Sequence, residues 1–111
     1  MKTRLNEYKI MWVMVFFDLP TETAKQRHAY TQFRKALIAD GFEMYQFSIY
    51  MRHCPSKENA EVHIKRITAS LPVEGRVCMM TITDKQFGEI KIFDGKAPTN
   101  SEIRSIQLDL F

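Results

Sequence analysis

A continuous apolar segment at residues 10–17 constrains the fold of this chain more than any other feature of the sequence. A strand buried on one face alternates apolar and polar residues, whereas a strand buried on both faces is apolar throughout. We therefore predict a central β-strand that ends at Asp18, where Leu19-Pro20 begins a turn. The segment has eight residues, whereas a membrane-spanning helix needs roughly 20, so we expect no membrane span.

Composition places the chain among ordinary globular proteins. Its 111 residues suffice for one domain. A hydrophobic fraction of 45% and a charged fraction of 26% exclude a disordered chain. The two cysteines, Cys54 and Cys78, form no CxxC motif and follow no secretory leader. This pattern is typical of a reducing compartment, and we expect a cytoplasmic protein.

Two amphipathic helices are predicted from apolar residues at helical spacing. The apolar residues are Tyr30, Phe33 and Leu37 in the first helix, and Ala60, Ile64, Ile67 and Leu71 in the second. Thr21 or Thr23 can cap the first helix, which Gly41 ends, and Ser56 can cap the second. Residues 43–54 read as extended, with a bend near Gln46 that makes a short hairpin, and residues 77–83 form a further strand before a turn at 83–85.

The element order predicts an α+β fold, a ferredoxin-like βαββαβ sandwich with additional C-terminal strands. We place this domain at residues 1–95, with a loose N-terminus at 1–8 and a short strand at 90–93. Residues 96–111 are expected to form a C-terminal loop and a strand that pairs with a sheet edge of its own or a partner chain. Because two helices cover only one face of the sheet, we expect a homodimer to use the other face.

Asp18 is the candidate for chemistry, because a carboxylate is conspicuous at the end of so apolar a strand. Mg²⁺ and Mn²⁺ favour carboxylate oxygens and keep several waters. One carboxylate makes a poor metal site, whereas two copies of Asp18 facing each other across a dimer axis make a better one. The alternative is that Asp18 shapes the turn or caps the next helix, although Thr21 and Thr23 are better placed to do so.

Four further residues are candidates for binding nucleic acid. Arg27 and Arg34 are two helical turns apart and can follow a phosphate backbone. Tyr50 can stack on a base and Arg52 can hold a phosphate on the predicted strand face that they share with Ser48. The net charge of +3 permits a polyanionic partner. The alternatives are a solvated helix face for the arginines and a dimer interface for the strand face.

Three ordered motifs carry a resemblance to a known family. They are Phe17-Asp18-Leu19-Pro20, then Gly41-Phe42-Glu43-Met44-Tyr45-Gln46-Phe47-Ser48-Ile49-Tyr50, and last Thr81-Ile82-Thr83-Asp84-Lys85-Gln86-Phe87. Together they resemble the small CRISPR-associated subunit of the spacer-acquisition complex, often described as an endoribonuclease. The third motif resembles the form found in type II systems. The resemblance covers about residues 9–95.

The resemblance implies a ferredoxin-like homodimer in which Asp18 binds Mg²⁺ or Mn²⁺ together with its symmetry mate and supports phosphodiester hydrolysis. It also implies a structural role, in which the dimer bridges CRISPR integrase dimers and binds double-stranded DNA, with single-stranded RNA as a further substrate. Residues 103–110 would pair with a sheet edge. Met44 and Tyr45 stand where some relatives carry a basic residue, so Asp18 alone carries over from the family's site.

Two alternatives to the acquisition subunit remain at this point. A toxin-like, metal-dependent ribonuclease of the same fold would cleave RNA without an integrase. A small-ligand regulatory module is the other alternative, because ferredoxin-like folds host many functions.

Overall fold

Four strands and two long helices form the core of the computed structural model, which describes residues 9–98. The strands are β1 (Met11–Asp18), β2 (Glu43–Gln46), β3 (Ile49–Cys54) and β4 (Arg76–Thr83). The helices are α1 (Ala24–Ala39), between β1 and β2, and α2 (Lys57–Thr68), between β3 and β4. A short helix α3 (Asp84–Gly88) and a hairpin of β5 (Phe93–Asp94) and β6 (Ala97–Pro98) follow.

The four strands form one antiparallel sheet in the order β2-β3-β1-β4. With its βαββαβ element order, this confirms the predicted ferredoxin-like α+β fold. Strand β1 lies between β3 and β4, and Met14 at its middle pairs with Met51 on one side and Met80 on the other. The apolar segment is therefore the central strand that its composition predicts.

Both helices pack on the same face of the sheet, which we call the helix face. Val13, Val15 and Phe17 of β1 point to this face and form one core with Phe33 and Leu37 of α1. Burying each such side chain contributes roughly 1.5–3 kcal/mol. The predicted limits of α1 are confirmed, since the hydroxyl of its N-cap residue accepts from the Gln26 N–H and the residue after the C-cap, at position 41, is a glycine with φ of 87°. Helix α2 ends at Thr68, so Leu71, which was predicted to lie in it, follows the helix.

The opposite face of the sheet, which we call the open face, is only partly covered. Trp12, Met14 and Met51 form a second apolar cluster there with Ile82 and Phe87. Helix α3 covers the half of the open face that carries this cluster. It replaces the turn predicted at residues 83–85. The helix forms because the Thr83 hydroxyl accepts from the Gln86 N–H while the Gln86 side chain accepts from the Thr83 N–H.

The C-terminal part of the described chain differs in detail from the prediction. The short strand expected at 90–93 starts at Phe93, and its partner is Ala97–Pro98, which lies within the predicted C-terminal loop. The loose N-terminus at 1–8 and the terminal strand within 103–110 lie outside the described residues. Within residues 9–98, no helix is both long and apolar enough to cross a membrane.

Candidate functional site

Asp18 is an exposed carboxylate at the last position of β1. Side chains at every second position of a strand share a face, and Trp12, Met14 and Phe16 lie on the open face. Asp18 therefore points to the open face and away from the helices. It does not cap α1, because Thr23 is the N-cap residue. The carboxylate makes no hydrogen bond or ion pair with any residue in the described part of the chain, and its oxygens are therefore available to a ligand.

An open cavity of about 330 Å³ adjoins Asp18. It is lined by residues of β1, β3, β4 and the turn between β2 and β3, namely Phe16, Phe17, Asp18, Ser48, Ile49, Arg76 and Cys78. Apart from Asp18 and Arg76, this lining offers no charged side chain. The cavity therefore combines an apolar surface with one carboxylate and one guanidinium.

Arg76 stands directly opposite Asp18 in the sheet. It is the first residue of β4, and the antiparallel register pairs the Cα atoms of Asp18 and Arg76. Both side chains are exposed and extend from the same face. Sequence reasoning missed Arg76, because the register between β1 and β4 joins residues that are far apart in the chain. Gly75 and Arg76, which directly precede the strand predicted at 77–83, were the local signal for it.

Two backbone contacts fix this end of the sheet. The Phe17 N–H donates to the Ser48 carbonyl at 3.0 Å, which joins the β2–β3 turn to the residue before Asp18. Gly75 has φ of 94°, and a Cβ atom there would lie 2.8 Å from the Asp18 carbonyl oxygen. Ser48 itself has φ of 65°, a conformation that costs a residue other than glycine about 1–3 kcal/mol. It belongs to the turn, not to the strand face predicted for it.

Tyr50 does not have the exposed position predicted for it. Its side chain is 1% exposed, because β3 turns it to the helix face, where its ring stacks on Phe17 with a centroid distance of 5.7 Å. A buried ring offers no face to a base, so the predicted stacking role is corrected. Instead, the Tyr50 hydroxyl accepts a hydrogen bond of 2.8 Å from Nε of Arg34.

Arg52 also lies on the helix face, where it binds protein carbonyls. Its Nε donates to the Asp40 carbonyl at 2.8 Å, and Nη1 donates to the His53 carbonyl at 2.6 Å. Asp40 is the C-cap of α1, so Arg52 satisfies a carbonyl at the end of that helix. This gives Arg52 a structural task in place of a free phosphate-binding position.

Arg27 and Arg34 both remain on the exposed surface of α1. Nη1 of Arg27 donates to the carbonyls of Thr21 and Glu22 at 3.1 and 3.0 Å, and so closes the turn between β1 and α1. The four residues predicted to bind nucleic acid thus lie on the helix side of the sheet, whereas Asp18 lies on the open face. The structure separates the two predicted sites.

A second polar cluster lies where α1 ends against α2. The Asp40 carboxylate contacts Nδ1 of His63 at 2.7 Å and receives a hydrogen bond of 3.1 Å from Arg66. His63 is 4% exposed. Nearby, burial raises the pKa of the Cys54 thiol, and the charge of Arg52 opposes that rise. Cys54 is therefore a protonated, inert thiol near neutral pH.

The part of the chain that the structure describes has no cluster of three or more histidine, cysteine or acidic side chains suited to a metal ion. Asp18 is the one carboxylate in its cavity. A hard cation held by one carboxylate and several waters fits this donor set, and a second carboxylate would have to come from another chain.

Sequence comparisons establish the family. Residues 11–90 match the family described as CRISPR associated protein Cas2. A CRISPR-associated endoribonuclease Cas2 from Flavobacterium psychrophilum is 58% identical over 109 residues, covering 98% of this chain and 95% of that protein. One from Parvibaculum lavamentivorans is 54% identical over 101 residues, covering 91% and 100%. One from Ligilactobacillus salivarius is 44% identical over 86 residues, covering 78% and 85%.

These similarities extend over nearly the whole described fold, including β1 with Asp18 and β4 with Arg76. The chain belongs to the Cas2 family of CRISPR-associated proteins. This confirms the resemblance drawn from the three sequence motifs.

Proposed function

We propose that this protein is the dimeric subunit of a CRISPR spacer-acquisition complex, where it bridges integrase dimers and binds the DNA to be integrated. We further propose that it hydrolyses phosphodiester bonds of RNA or DNA at Asp18 with a divalent metal ion. The observation that carries the proposal is the exposed Asp18 carboxylate at the end of the central strand, in a chain whose relatives are named endoribonucleases.

The open face supports the dimer. Met80 is 48% exposed at the centre of this face, and Phe16 and Cys78 lie beside it in the register. Large apolar side chains gathered on one sheet face favour a covering partner. A second copy on the same face would bring its own Asp18 carboxylate to the interface and supply the second charge that the site needs.

Asp18 is the residue that would hold the metal. Bound Mg²⁺ or Mn²⁺ would neutralise phosphate charge and lower the pKa of a bound water. Asp18 contributes the anchoring charge, since its oxygens have no protein partner among the described residues.

The helix side supports binding to double-stranded DNA. Arg27 and Arg34 are exposed on α1, and each has one nitrogen tied to the protein, which holds the guanidinium in a fixed place. Contacts of this kind bind phosphates without reading sequence. We expect the affinity for duplex DNA to depend steeply on salt and weakly on sequence.

Co-assembly with a CRISPR integrase from the same organism tests the scaffold role. Size-exclusion chromatography of the two proteins with a DNA duplex should give one complex containing an even number of copies of this chain. The Asp18→Asn variant should assemble equally well, because the proposal assigns Asp18 to chemistry. Failure of the wild-type protein to co-elute with the integrase would contradict the scaffold role.

The toxin-like ribonuclease remains a second candidate, and the names of the relatives favour it because they specify RNA as the substrate of those proteins. Cleavage of cellular RNA in a strain that lacks the integrase would distinguish it. The acquisition subunit predicts that the protein has no effect on growth in such a strain.

A further inference from the structure

Arg76 differs from the other arginines of the described chain in having a free guanidinium. Arg27 and Arg52 donate to backbone carbonyls, Arg34 donates to the Tyr50 hydroxyl, and Arg66 donates to the Asp40 carboxylate. Within residues 9–98, Arg76 makes no hydrogen bond or ion pair. An arginine carries five N–H donors and is always charged, so the whole Arg76 guanidinium is available to bind a ligand at the cavity.

The position of Arg76 opposite Asp18 makes this freedom unexpected. Opposite charges directly across an antiparallel pair lie about 4.5–5.5 Å apart at Cβ and commonly bind each other. Here Asp18 and Arg76 are direct partners in the register and both side chains line the cavity, yet no ion pair forms between them. Both charged groups therefore remain available to a ligand in the cavity.

The backbone holds Arg76 firmly in this place. Strand β4 pairs with β1 along its whole length, from Arg76 to Thr83. Immediately before it, Gly75 fits against Asp18 so closely that a Cβ would meet Leu19 Cδ2 at 2.7 Å. The Cα atom of Arg76 cannot move away from Asp18 without disrupting this contact.

We propose that Arg76 binds the phosphate group on which the Asp18 site acts. The guanidinium fork of arginine matches two phosphate oxygens. A carboxylate alone repels a phosphate, and the adjacent positive charge offsets that repulsion while the metal is held at Asp18. The inference rests on the proposed function, because it supplies the substrate-binding group for the same cavity. It adds a nucleic-acid contact at the Asp18 end of the open face, beside the surface proposed for the second copy and distinct from the arginines of α1.

Binding without cleavage tests Arg76 directly. The full-length protein and its Arg76→Ala and Arg76→Lys variants are titrated with a labelled single-stranded oligonucleotide and with a duplex, in EDTA, over a series of KCl concentrations. Loss of one phosphate contact should lower the slope of log affinity against log salt by about 1. Arg76→Lys should keep the slope and lose affinity only partly, because lysine retains the charge and lacks the fork.

Lys85→Ala is the matched control, since it also removes one positive charge. Lys85 is paired with Glu89 at 3.7 Å and lies beyond the far end of β4, roughly 25 Å along the strand from Arg76. Its removal should leave the slope unchanged. Equal slopes for Arg76→Ala and Lys85→Ala would overturn the proposal.

A second measurement separates phosphate binding from a merely structural pairing with Asp18. If Arg76 only balances the charge of Asp18, then Arg76→Ala should have no effect on binding in an Asp18→Asn background. The proposal predicts that Arg76→Ala still lowers the slope of log affinity against log salt in the Asp18→Asn background. Where the wild-type protein cleaves nucleic acid, Arg76→Ala should also lower kcat/KM about 10- to 100-fold.

These readouts keep the two proposals apart. Absence of cleavage by the wild-type protein in every metal would contradict hydrolysis at Asp18, while the salt slopes in EDTA would still decide the role of Arg76. Cleavage that depends on Asp18 but is unchanged in Arg76→Ala would overturn the phosphate role and leave the proposed function standing.

Discussion

The indole Nε1–H of Trp12 donates a buried hydrogen bond of 2.8 Å to Oδ1 of Asp84, across 72 positions of the chain. Trp12 is fully buried, and its ring also stacks on Phe87 at a centroid distance of 3.9 Å. These contacts attach α3 to one half of the open face. The other half of that face, where Asp18 and Arg76 lie, is left uncovered by α3.

Asp84→Ala should destabilise the fold by about 1–3 kcal/mol, because it leaves the buried Trp12 N–H without this acceptor. Asp84→Asn keeps an oxygen at the same place and should cost less. Trp12 is the only tryptophan of the chain, so its fluorescence during urea unfolding reports the loss directly. Glu89→Gln at the exposed C-cap of α3 is the control and should change stability by less than about 0.5 kcal/mol. Equal stability of Asp84→Ala and the control would contradict the role of this bond.

Gly75→Ala should destabilise the protein by more than about 1–2 kcal/mol, because φ of 94° disfavours a side chain and the added Cβ would contact the Asp18 carbonyl at 2.8 Å. Gly88→Ala provides a matched comparison. A Cβ at Gly88 would meet no atom within 4 Å, and alanine at the end of α3 should be neutral or slightly stabilising. Thermal unfolding of the two variants measures the difference. A Gly75→Ala variant as stable as Gly88→Ala would show that this turn does not fix the end of β4.

Local sequence signals were sufficient for much of the fold. A hydroxyl residue before each helix and Gly41 after the first act on backbone groups within four positions, so both limits of α1 and the start of α2 could be predicted. The central strand could be predicted because its apolar side chains face both ways. The turn expected at 83–85 is instead the start of a helix. The prediction missed it because the capping box of Thr83 and Gln86 was not recognised.

Non-local pairing limited the prediction of the site. The alternation of residues correctly placed Tyr50 and Arg52 on one face of the strand, but it could not show that the helices cover this face. Both residues have long side chains with a polar end, so they bury an apolar body and still reach a partner in α1. Arg76 was missed for the related reason that its importance depends on the register between β1 and β4.

Tyr50→Phe should lower stability by about 1 kcal/mol, because it keeps the buried ring and removes the hydrogen bond to Arg34. Arg34→Met should remove the same bond from the other side. A double-mutant cycle by urea unfolding should therefore show the two losses to be less than additive by about 0.5 kcal/mol or more. Fully additive losses would mean that the bond does not contribute to stability.

The two thiols should differ in reactivity. Cys78 is exposed on the open face, whereas Cys54 is fully buried. A thiol reagent should therefore modify Cys78 first and Cys54 only after unfolding. If a second copy covers the open face, modification of Cys78 should slow as the protein concentration rises. A rate that is independent of concentration over the range where sedimentation shows a dimer would place the dimer interface elsewhere.

Cys54 should also make stability depend on pH in the alkaline range. Burial raises the pKa of this thiol in the folded state above its unfolded value. The unfolded chain therefore loses the proton first, and stability falls as pH rises above the unfolded thiol pKa. Cys54→Ala should show a smaller fall above about pH 8.5. Parallel pH profiles for the wild-type protein and Cys54→Ala would contradict this assignment.

A side-by-side cleavage assay of rigorously purified wild-type protein and Asp18→Asn decides whether the protein is a metal nuclease centred on Asp18. Single- and double-stranded RNA and DNA are incubated with each protein in Mg²⁺, Mn²⁺ or EDTA. We expect cleavage by the wild-type protein with a divalent metal, and none in EDTA or with Asp18→Asn. Equal cleavage by both proteins, or none by the wild-type protein on any substrate, would contradict an Asp18-centred metal nuclease.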